Sequence, residues 1–217
     1  MTPARTDHEG ARERMVERQI AGRGIRDEGV LDAMRRVPRE EFVRPGDRSR
    51  AYSDRAMPIG HGQTISQPFI VALMTEKLHL AGRERVLEVG TGSGYQTAVL
   101  AELADEVFTV ERVPELSERA QRTLGWLGYG NVFYRVGDGS LGWPGEAPFD
   151  RILVTAGAPH RPETLLEQLG SDGRLIAPVG SRHHQVLTAY WRDRSGEIRE
   201  RALGDCVFVQ LIGEEGW

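Results

Sequence analysis

Ser66 stands in the run Gly60-His61-Gly62-Gln63-Thr64-Ile65-Ser66-Gln67-Pro68, directly ahead of an apolar stretch over residues 69–80. A serine hydroxyl at such a place has two uses. It can cap the helix that the apolar stretch predicts, with Pro68 in the first turn. It can also orient an anion, because the free N–H groups and partial positive charge of a helix N-terminus suit a carboxylate. The residues alone leave both uses open, and the two do not exclude each other. His61 in the same run reads as a turn residue before it reads as a chemical one.

Further along, Glu88-Val89-Gly90-Thr91-Gly92-Ser93-Gly94 lies where an apolar strand over residues 85–89 meets a helical run over residues 95–103. Ligands of open parallel sheets bind beyond the carboxyl ends of the strands, near the point where strand order reverses. A dinucleotide fingerprint places glycines at positions one, three and six. Counted from Gly90, the sixth position is the bulky Tyr95, and the glycines fall at one, three and five instead. This disfavours a nicotinamide oxidoreductase. The spacing resembles motif I of S-adenosylmethionine-dependent methyltransferases.

The next strand, residues 107–110, is followed by Glu111, a carboxylate placed to accept from both hydroxyls of a ribose. The strand after it, residues 132–136, leads to Asp138-Gly139, where an acid can meet an adenine amino group and glycine leaves room for the ring. Each of these taken singly is an ordinary turn former. Together they assign one polar group to each part of the cofactor.

The elements around these sites alternate. Residues 11–21 and a run capped by Asp27 and ended by Pro38 predict two N-terminal helices. Residues 45–58 read as irregular chain. Strands at 85–89, 107–110, 132–136, 151–155 and 174–178 alternate with helices at 95–103, 114–127 and 163–169. That pattern predicts an α/β fold with a doubly wound, mostly parallel sheet. Strands at 185–191, 197–202 and 206–212 follow with only short turns, which predicts an antiparallel C-terminal edge. The expected organisation is one domain over residues 1–217. Its helical N-terminal extension, residues 1–80, carries the Ser66 segment, and residues 81–217 form the cofactor-binding sheet.

The resemblance extends further. The segment from Gly60 to Pro68 resembles the signature of the protein-L-isoaspartate (D-aspartate) O-methyltransferase family, and the serine matching Ser66 is that family's active-site residue. Val37-Pro38-Arg39-Glu40, Phe42-Val43, Ala51-Tyr52, Phe149-Asp150, Thr155-Ala156-Gly157-Ala158-Pro159, Gly173-Arg174-Leu175 and Pro178-Val179-Gly180 are similar to other parts of it. The resemblance runs from about Met15 to Gly213. It implies methyl transfer from S-adenosylmethionine to the free carboxylate of isoaspartyl residues in damaged proteins, whose esters then cyclise to a succinimide. It implies Ser66 as the catalytic residue. It also implies a cofactor site of Thr64, Ile65, Ser66, Glu88, Gly90, Thr91, Gly92, Tyr95, Glu111, Arg112, Asp138 and Gly139. There are departures. Gln210 stands where the family commonly has proline, Gly157 where alanine is common, and Asp172 where glycine is common. Two rivals remain at this point: a methyltransferase acting on a hydroxyl or amine, which needs a base the sequence does not offer, and a cofactor-binding scaffold that regulates a partner.

Composition bounds the rest. The chain has 217 residues, 28% charged and 39% hydrophobic, with a formal charge of −4. That is globular composition, and the acidic balance argues against nucleic acid as the main partner. Lys77 is the sole lysine, a compositional bias without a function attached. Residues 1–10 are polar and lack the apolar core of a signal peptide, and no apolar run is long enough to cross a bilayer. A cytoplasmic monomer, bound to neither membrane nor metal, is the expectation. Cys206 is the only cysteine, which excludes an intrachain disulfide and a multi-cysteine metal site. It reads as a buried strand residue. His183-His184 falls in a predicted hairpin turn as a solvated pair, and Trp126, Trp143, Trp191 and Trp217 read as packing residues.

Overall fold

The computed structural model describes residues 7–217; residues 1–6 of the polar N-terminal stretch lie outside the described residues. Asp7 caps α1 (His8–Arg14) by accepting from the Gly10 amide. The chain then continues as a π-wound stretch, Met15–Ile20, and a 3-10 turn, Ala21–Arg23. This is the helix expected over residues 11–21, with its winding loosened where Met15, Val16 and Ile20 become fully buried. α2 (Glu28–Arg36) is capped as expected, the Asp27 carboxylate accepting from the Val30 amide at 3.1 Å. It turns Val30, Leu31 and Met34 inward.

Residues 45–58 are more ordered than the sequence suggested. They hold a 3-10 turn, Pro45–Arg50, and the start of the first strand of a hairpin. β1 (Met57–Gly60) pairs antiparallel with β2 (Gln63–Ile65), and His61 in the turn sits in the left-handed region at φ 53°. Met57, Ile59 and Ile65 are buried, while Thr64 faces out and Ser66 is half-buried. α3 (Pro68–Leu78) follows, and here the capping expectation is corrected. The cap residue is Gln67, still extended at ψ 138°, and no side chain caps this helix. Proline at the first helical position, with its φ already fixed, sets the start one residue later than a Ser66 cap requires.

The main sheet contains β3 (Arg85–Val89), β4 (Glu106–Glu111), β5 (Val132–Val136), β6 (Phe149–Val154), β7 (Leu169–Ser181), β8 (His184–Arg192) and β9 (Ile198–Cys206). Between them run α4 (Tyr95–Ala101), α5 (Pro114–Trp126) and the short α6 (Glu163–Leu166). The spatial order is β5-β4-β3-β6-β7-β8-β9. The pairs from β5 to β7 are parallel, and β8 and β9 join antiparallel. From β3 the chain steps through β4 to β5 on one side; it then returns to β6 and steps to β7 on the other. With right-handed crossovers, α4 and α5 cover one face, and α6 with the turns before it covers the opposite face.

Alternation along β3 serves both faces. Val86 packs with Met74, Leu78 and Leu100 on the helical side, and Leu87 with Phe149, Leu165 and Leu166 on the other. The N-terminal extension shares a core with the sheet's helices. One apolar cluster runs from Met15 and Met34 through Ile59 and Tyr95 to Ala120 and Leu124.

Three expectations need correction. The helix expected over residues 163–169 is only four residues long. The strand expected at 174–178 is the longer β7, which passes through Asp172 at φ 59°. That conformation explains why glycine suits this position in the resembled family, and aspartate is among the residues that tolerate it. Residues 206–212 are not a strand: beyond Cys206, only an isolated bridge between Gln210 and Gly157 forms. The chain there crosses over the carboxyl ends of the sheet. No helix among the described residues is long and apolar enough to cross a membrane.

Glu88 is fully buried within the sheet. It pairs in register with Thr109, so their side chains share a face, and the Thr109 and Thr97 hydroxyls both donate to its Oε2 at 2.6 Å. Its Oε1 has no partner among the described residues. Burial pushes the carboxyl up to about 8, the nearby Glu111 charge adding to the effect against the two threonine bonds. The unfolded chain releases this proton near pH 4.3. Between those values the folded state holds a proton that the unfolded state has lost, so stability falls as pH rises through the window. Urea denaturation at pH 5 and pH 8 is expected to show a loss on the order of a few kcal/mol from this group, at about 1.4 kcal/mol per tenfold change in proton affinity. Glu88→Gln is expected to remove that part of the slope; an unaltered slope would assign it to other groups.

Candidate active site

The reversal of strand order opens a cleft at the carboxyl ends of β3, β4 and β6. Its open mouth included, the cleft holds about 780 Å³. Its floor is the turn from Gly90 to Ser93. Gly90 has φ 101°, and a Cβ there would meet the Thr155 hydroxyl at 2.3 Å. Only glycine fits, because Thr155 uses that space to donate to the Gly90 carbonyl at 2.7 Å and the Val89 carbonyl at 2.9 Å. The loop of β3 is thereby pinned to the end of β6. Thr91 is buried beneath it, its hydroxyl 2.6 Å from that of Thr109.

Glu111 closes the next strand and is nearly buried. The Gly92 amide donates to its Oε2 and the Val113 amide to its Oε1, each at 2.9 Å. A carboxylate oxygen has capacity for more than one hydrogen bond. Each oxygen therefore keeps acceptor capacity for one hydroxyl of a vicinal pair. Arg112 and Gly139 line the cleft beside it. From the N-terminal extension come Gln63, Thr64, Ile65 and Ser66, and from the C-terminal crossing segment Val209, Gln210, Leu211 and Ile212.

Most residues expected from the sequence thus meet in one place: Thr64, Ile65, Ser66, Gly90, Thr91, Gly92, Tyr95, Glu111, Arg112 and Gly139. Glu88 and Asp138 do not line the cleft. Glu88 lies under the loop, on the strand face. Asp138 caps the 3-10 turn Gly139–Leu141, accepting from the Ser140 amide and hydroxyl, and also accepts from the Glu214 amide at 2.7 Å. Burial pushes its carboxyl up, but these bonds outweigh that and hold it below the usual range. One of its oxygens thus serves its own turn and the other the C-terminal segment, which Asp138 anchors. Tyr95 contributes to the cleft wall, yet its ring is buried against Phe42, edge to face at 5.6 Å.

A second cleft of about 710 Å³ adjoins the first. Thr64, Ser66, Thr155 and Val209 line both, so Ser66 stands at the junction. Residues that the sequence reading missed complete this region: Thr155, Ile70, Asp205, Val207 and Phe208. Val207 is 74% exposed at its rim.

The remaining singled-out residues stand apart from this chemistry. His61 is exposed in the hairpin turn. His183 is exposed, His184 pairs with Asp205 at 3.1 Å, and the described residues hold no group of metal-ligating side chains. Cys206 ends β9 half-buried rather than buried, and burial pushes its thiol up to about 11. Trp126 is 72% exposed, contrary to a packing role. The departure at Gln210 leaves the crossing segment in place. Gly157 donates to the Val209 carbonyl at 2.7 Å and accepts from the Leu211 amide at 2.9 Å, bonds that need no proline between them.

Residues 10–216 match the family described as Protein-L-isoaspartate(D-aspartate) O-methyltransferase (PCMT). Protein-L-isoaspartate O-methyltransferase 1 of Syntrophobacter fumaroxidans is 56% identical over 207 residues, covering 95% of this chain and 96% of that one. The Syntrophus aciditrophicus protein-L-isoaspartate O-methyltransferase is also 56% identical, covering 94% of each chain. Among solved structures, a protein-L-isoaspartate O-methyltransferase superposes with a TM-score of 0.83 at 32% identity, over 94% of this chain and 67% of that one. A Plasmodium falciparum protein described as a protein-L-isoaspartate O-methyltransferase, in complex with S-adenosyl-L-homocysteine, gives 0.81 at 28% identity, over 93% and 98%. The glycine turn, the strand-end carboxylate and the serine at the junction of two clefts therefore sit on a chain that belongs to the protein-L-isoaspartate (D-aspartate) O-methyltransferase family.

Proposed function

We propose that this protein is an S-adenosylmethionine-dependent protein-L-isoaspartate O-methyltransferase, esterifying the free carboxylate of isoaspartyl residues in damaged proteins and so starting their repair through a succinimide. The observation that carries this is the position of Ser66, shared by a cleft suited to the cofactor and a second cleft that adjoins it.

The residues present fit the cofactor. Glu111 retains acceptor capacity on both oxygens for the ribose hydroxyls, and the turn from Gly90 to Gly92 offers backbone without side-chain bulk. Thr64, Ile65, Arg112 and Gly139 complete the enclosure. When bound, S-adenosylmethionine supplies an electrophilic methyl group on a sulfonium.

This chain's own residues are matched to a carboxylate acceptor. A carboxylate with a pKa of about 4 is ionised at neutral pH and needs no base. Neither cleft is lined by a histidine. The acids that line them are Glu111, already accepting two amides, and Asp205, paired with His184. An amine or hydroxyl acceptor would call for a free base, so this lining favours the carboxylate. Ser66 orients the acceptor by donating a hydrogen bond, while Ile65, Val209, Leu211 and Ile212 keep water out. The second cleft takes the flexible segment that carries the isoaspartyl residue, with Val207 offering apolar contact at its rim. A monomer remains the expectation; sedimentation is expected to give the mass of a single chain, and a stable dimer would overturn it.

Glu111→Ala is expected to weaken S-adenosylhomocysteine binding by about 1.5–3 kcal/mol, the worth of hydrogen bonds to a charged group. The wild-type protein should bind this ligand and not NAD. Calorimetry with both ligands checks this. Unchanged affinity in a folded Glu111→Ala protein would remove Glu111 from the ribose site.

Ser66→Ala is expected to lower turnover of an isoaspartyl peptide roughly 10- to 150-fold, the same hydrogen-bond energy lost in the transition state. Because Ser66 caps no helix, its melting temperature should stay close to wild type, with a stability change within about 0.5 kcal/mol. Cofactor affinity should change little. Full turnover in Ser66→Ala would take the serine off the catalytic list, and a large loss of stability would restore the capping role.

A further inference from the structure

Arg39 is among the largest of the described side chains to be fully buried. Among the described residues it has no carboxylate partner, since neighbouring Glu40 is engaged by the Tyr52 hydroxyl. A buried charge without an opposite charge is costly, and a neutral residue of similar shape would usually serve the fold as well. What the guanidinium does instead is hold backbone. Its Nε donates to the Ala51 carbonyl at 2.8 Å and its Nη2 to the Ser66 carbonyl at 2.7 Å. Its Cζ lies 4.6 Å from the centre of the Tyr95 ring. Nη1 is buried without a partner among the described residues.

Ser66 needs such a contact. It follows the last residue of β2 and precedes the Gln67 cap of α3, so neither the strand ladder nor the helix fixes its peptide. Tyr95 begins α4 directly after the glycine turn and lines the first cleft. One guanidinium therefore touches the segment that presents the acceptor and the helix that follows the cofactor turn. Its planar fork can donate in fixed directions to two carbonyls at once, which an ammonium cannot do.

We propose that Arg39 is a positioning residue for methyl transfer, fixing through the Ser66 carbonyl where the Ser66 hydroxyl stands relative to the cofactor cleft. This rests on the role of Ser66 given above.

The test is a double-mutant cycle with Arg39→Met and Ser66→Ala, reading kcat/KM for an isoaspartyl peptide and affinity for S-adenosylhomocysteine. Coupled neighbours give non-additive effects, and independent ones add. Arg39→Met alone is expected to lower kcat/KM about 10- to 100-fold with cofactor affinity within about threefold, and to cost less than about threefold once Ser66 is alanine. Arg39→Lys keeps the charge and loses the fork; it is expected to fall between wild type and Arg39→Met and to show the same loss of effect in the Ser66→Ala background. If Arg39→Met fails to bind S-adenosylhomocysteine because it does not fold, the cycle with Arg39→Lys decides. Equal losses in both backgrounds would make Arg39 a purely structural residue and overturn the proposal. A wild-type rate in Ser66→Ala alone would overturn the reading of Ser66 itself, a result distinguishable from additive losses.

Discussion

The reversal of direction after β5 governs the site. Two successive crossovers move from β3 to β4 and β5, and the next return carries the chain past them to β6. Between β3 and β6 the connecting segments therefore diverge to opposite faces, and a crevice opens at the carboxyl ends of both strands. Every cofactor-side group reaches the crevice from such an end: the Gly90 turn from β3, Glu111 from β4, Gly139 beyond β5 and Thr155 from β6. Thr155 then binds the two sides together by donating to the carbonyls of Val89 and Gly90. The crevice is held at fixed width by a side chain, and the absence of one at Gly90 makes this possible.

The sheet can supply only one half of a transfer site. In the function proposed above the acceptor half comes from outside it, from the N-terminal extension, whose β1–β2 hairpin leads to Ser66 at the cleft. The hairpin is anchored rather than free. Met57, Ile59 and Ile65 join the core that contains Tyr95 and Leu124, and Arg119 of α5 donates to the Ile59 carbonyl at 3.0 Å. Tyr95, the residue that spoils a dinucleotide fingerprint, takes on a physical role in this setting. Its ring is the surface on which Phe42 and Arg39 of the extension pack.

Much of this was legible in the sequence. Alternating strands and helices predicted the parallel sheet, and glycine and acid positions at strand ends predicted the crevice. The places where the structure departs from that pattern have physical causes. Glu88 lies inside β3 rather than at its end, so the pleat directs it onto the helical face, toward Thr97 and Thr109. Asp138 is followed by Gly139-Ser140, and a short acid at such a place closes on its own turn. The strand pattern at residues 206–212 was real as extended chain, but its partner was the Gly157 loop and not a strand. Ser66 looked like a cap because a serine precedes a proline-led helix, yet the extended backbone at Gln67 takes the cap position. None of these depends on residue type alone. Each depends on where the neighbouring chain runs, which a single sequence does not display.

The corrected position of Ser66 sharpens the chemical reading. A serine that caps a helix spends its oxygen as an acceptor for a backbone amide. Freed from that duty, the hydroxyl can donate to an anion in the space between the two clefts. One donor is suited to this task. The acceptor carboxylate loses charge as its new bond forms, so an array of strong donors would stabilise the starting anion more than the transition state and slow the step. Thr64, Thr155 and Val209 line both clefts with Ser66, and of these Thr155 already donates to backbone. The nearby guanidinium of Arg39 is turned to the Ser66 carbonyl. In the role proposed for it, that guanidinium sits behind the peptide, sets the geometry of Ser66 and leaves the hydroxyl free for the acceptor.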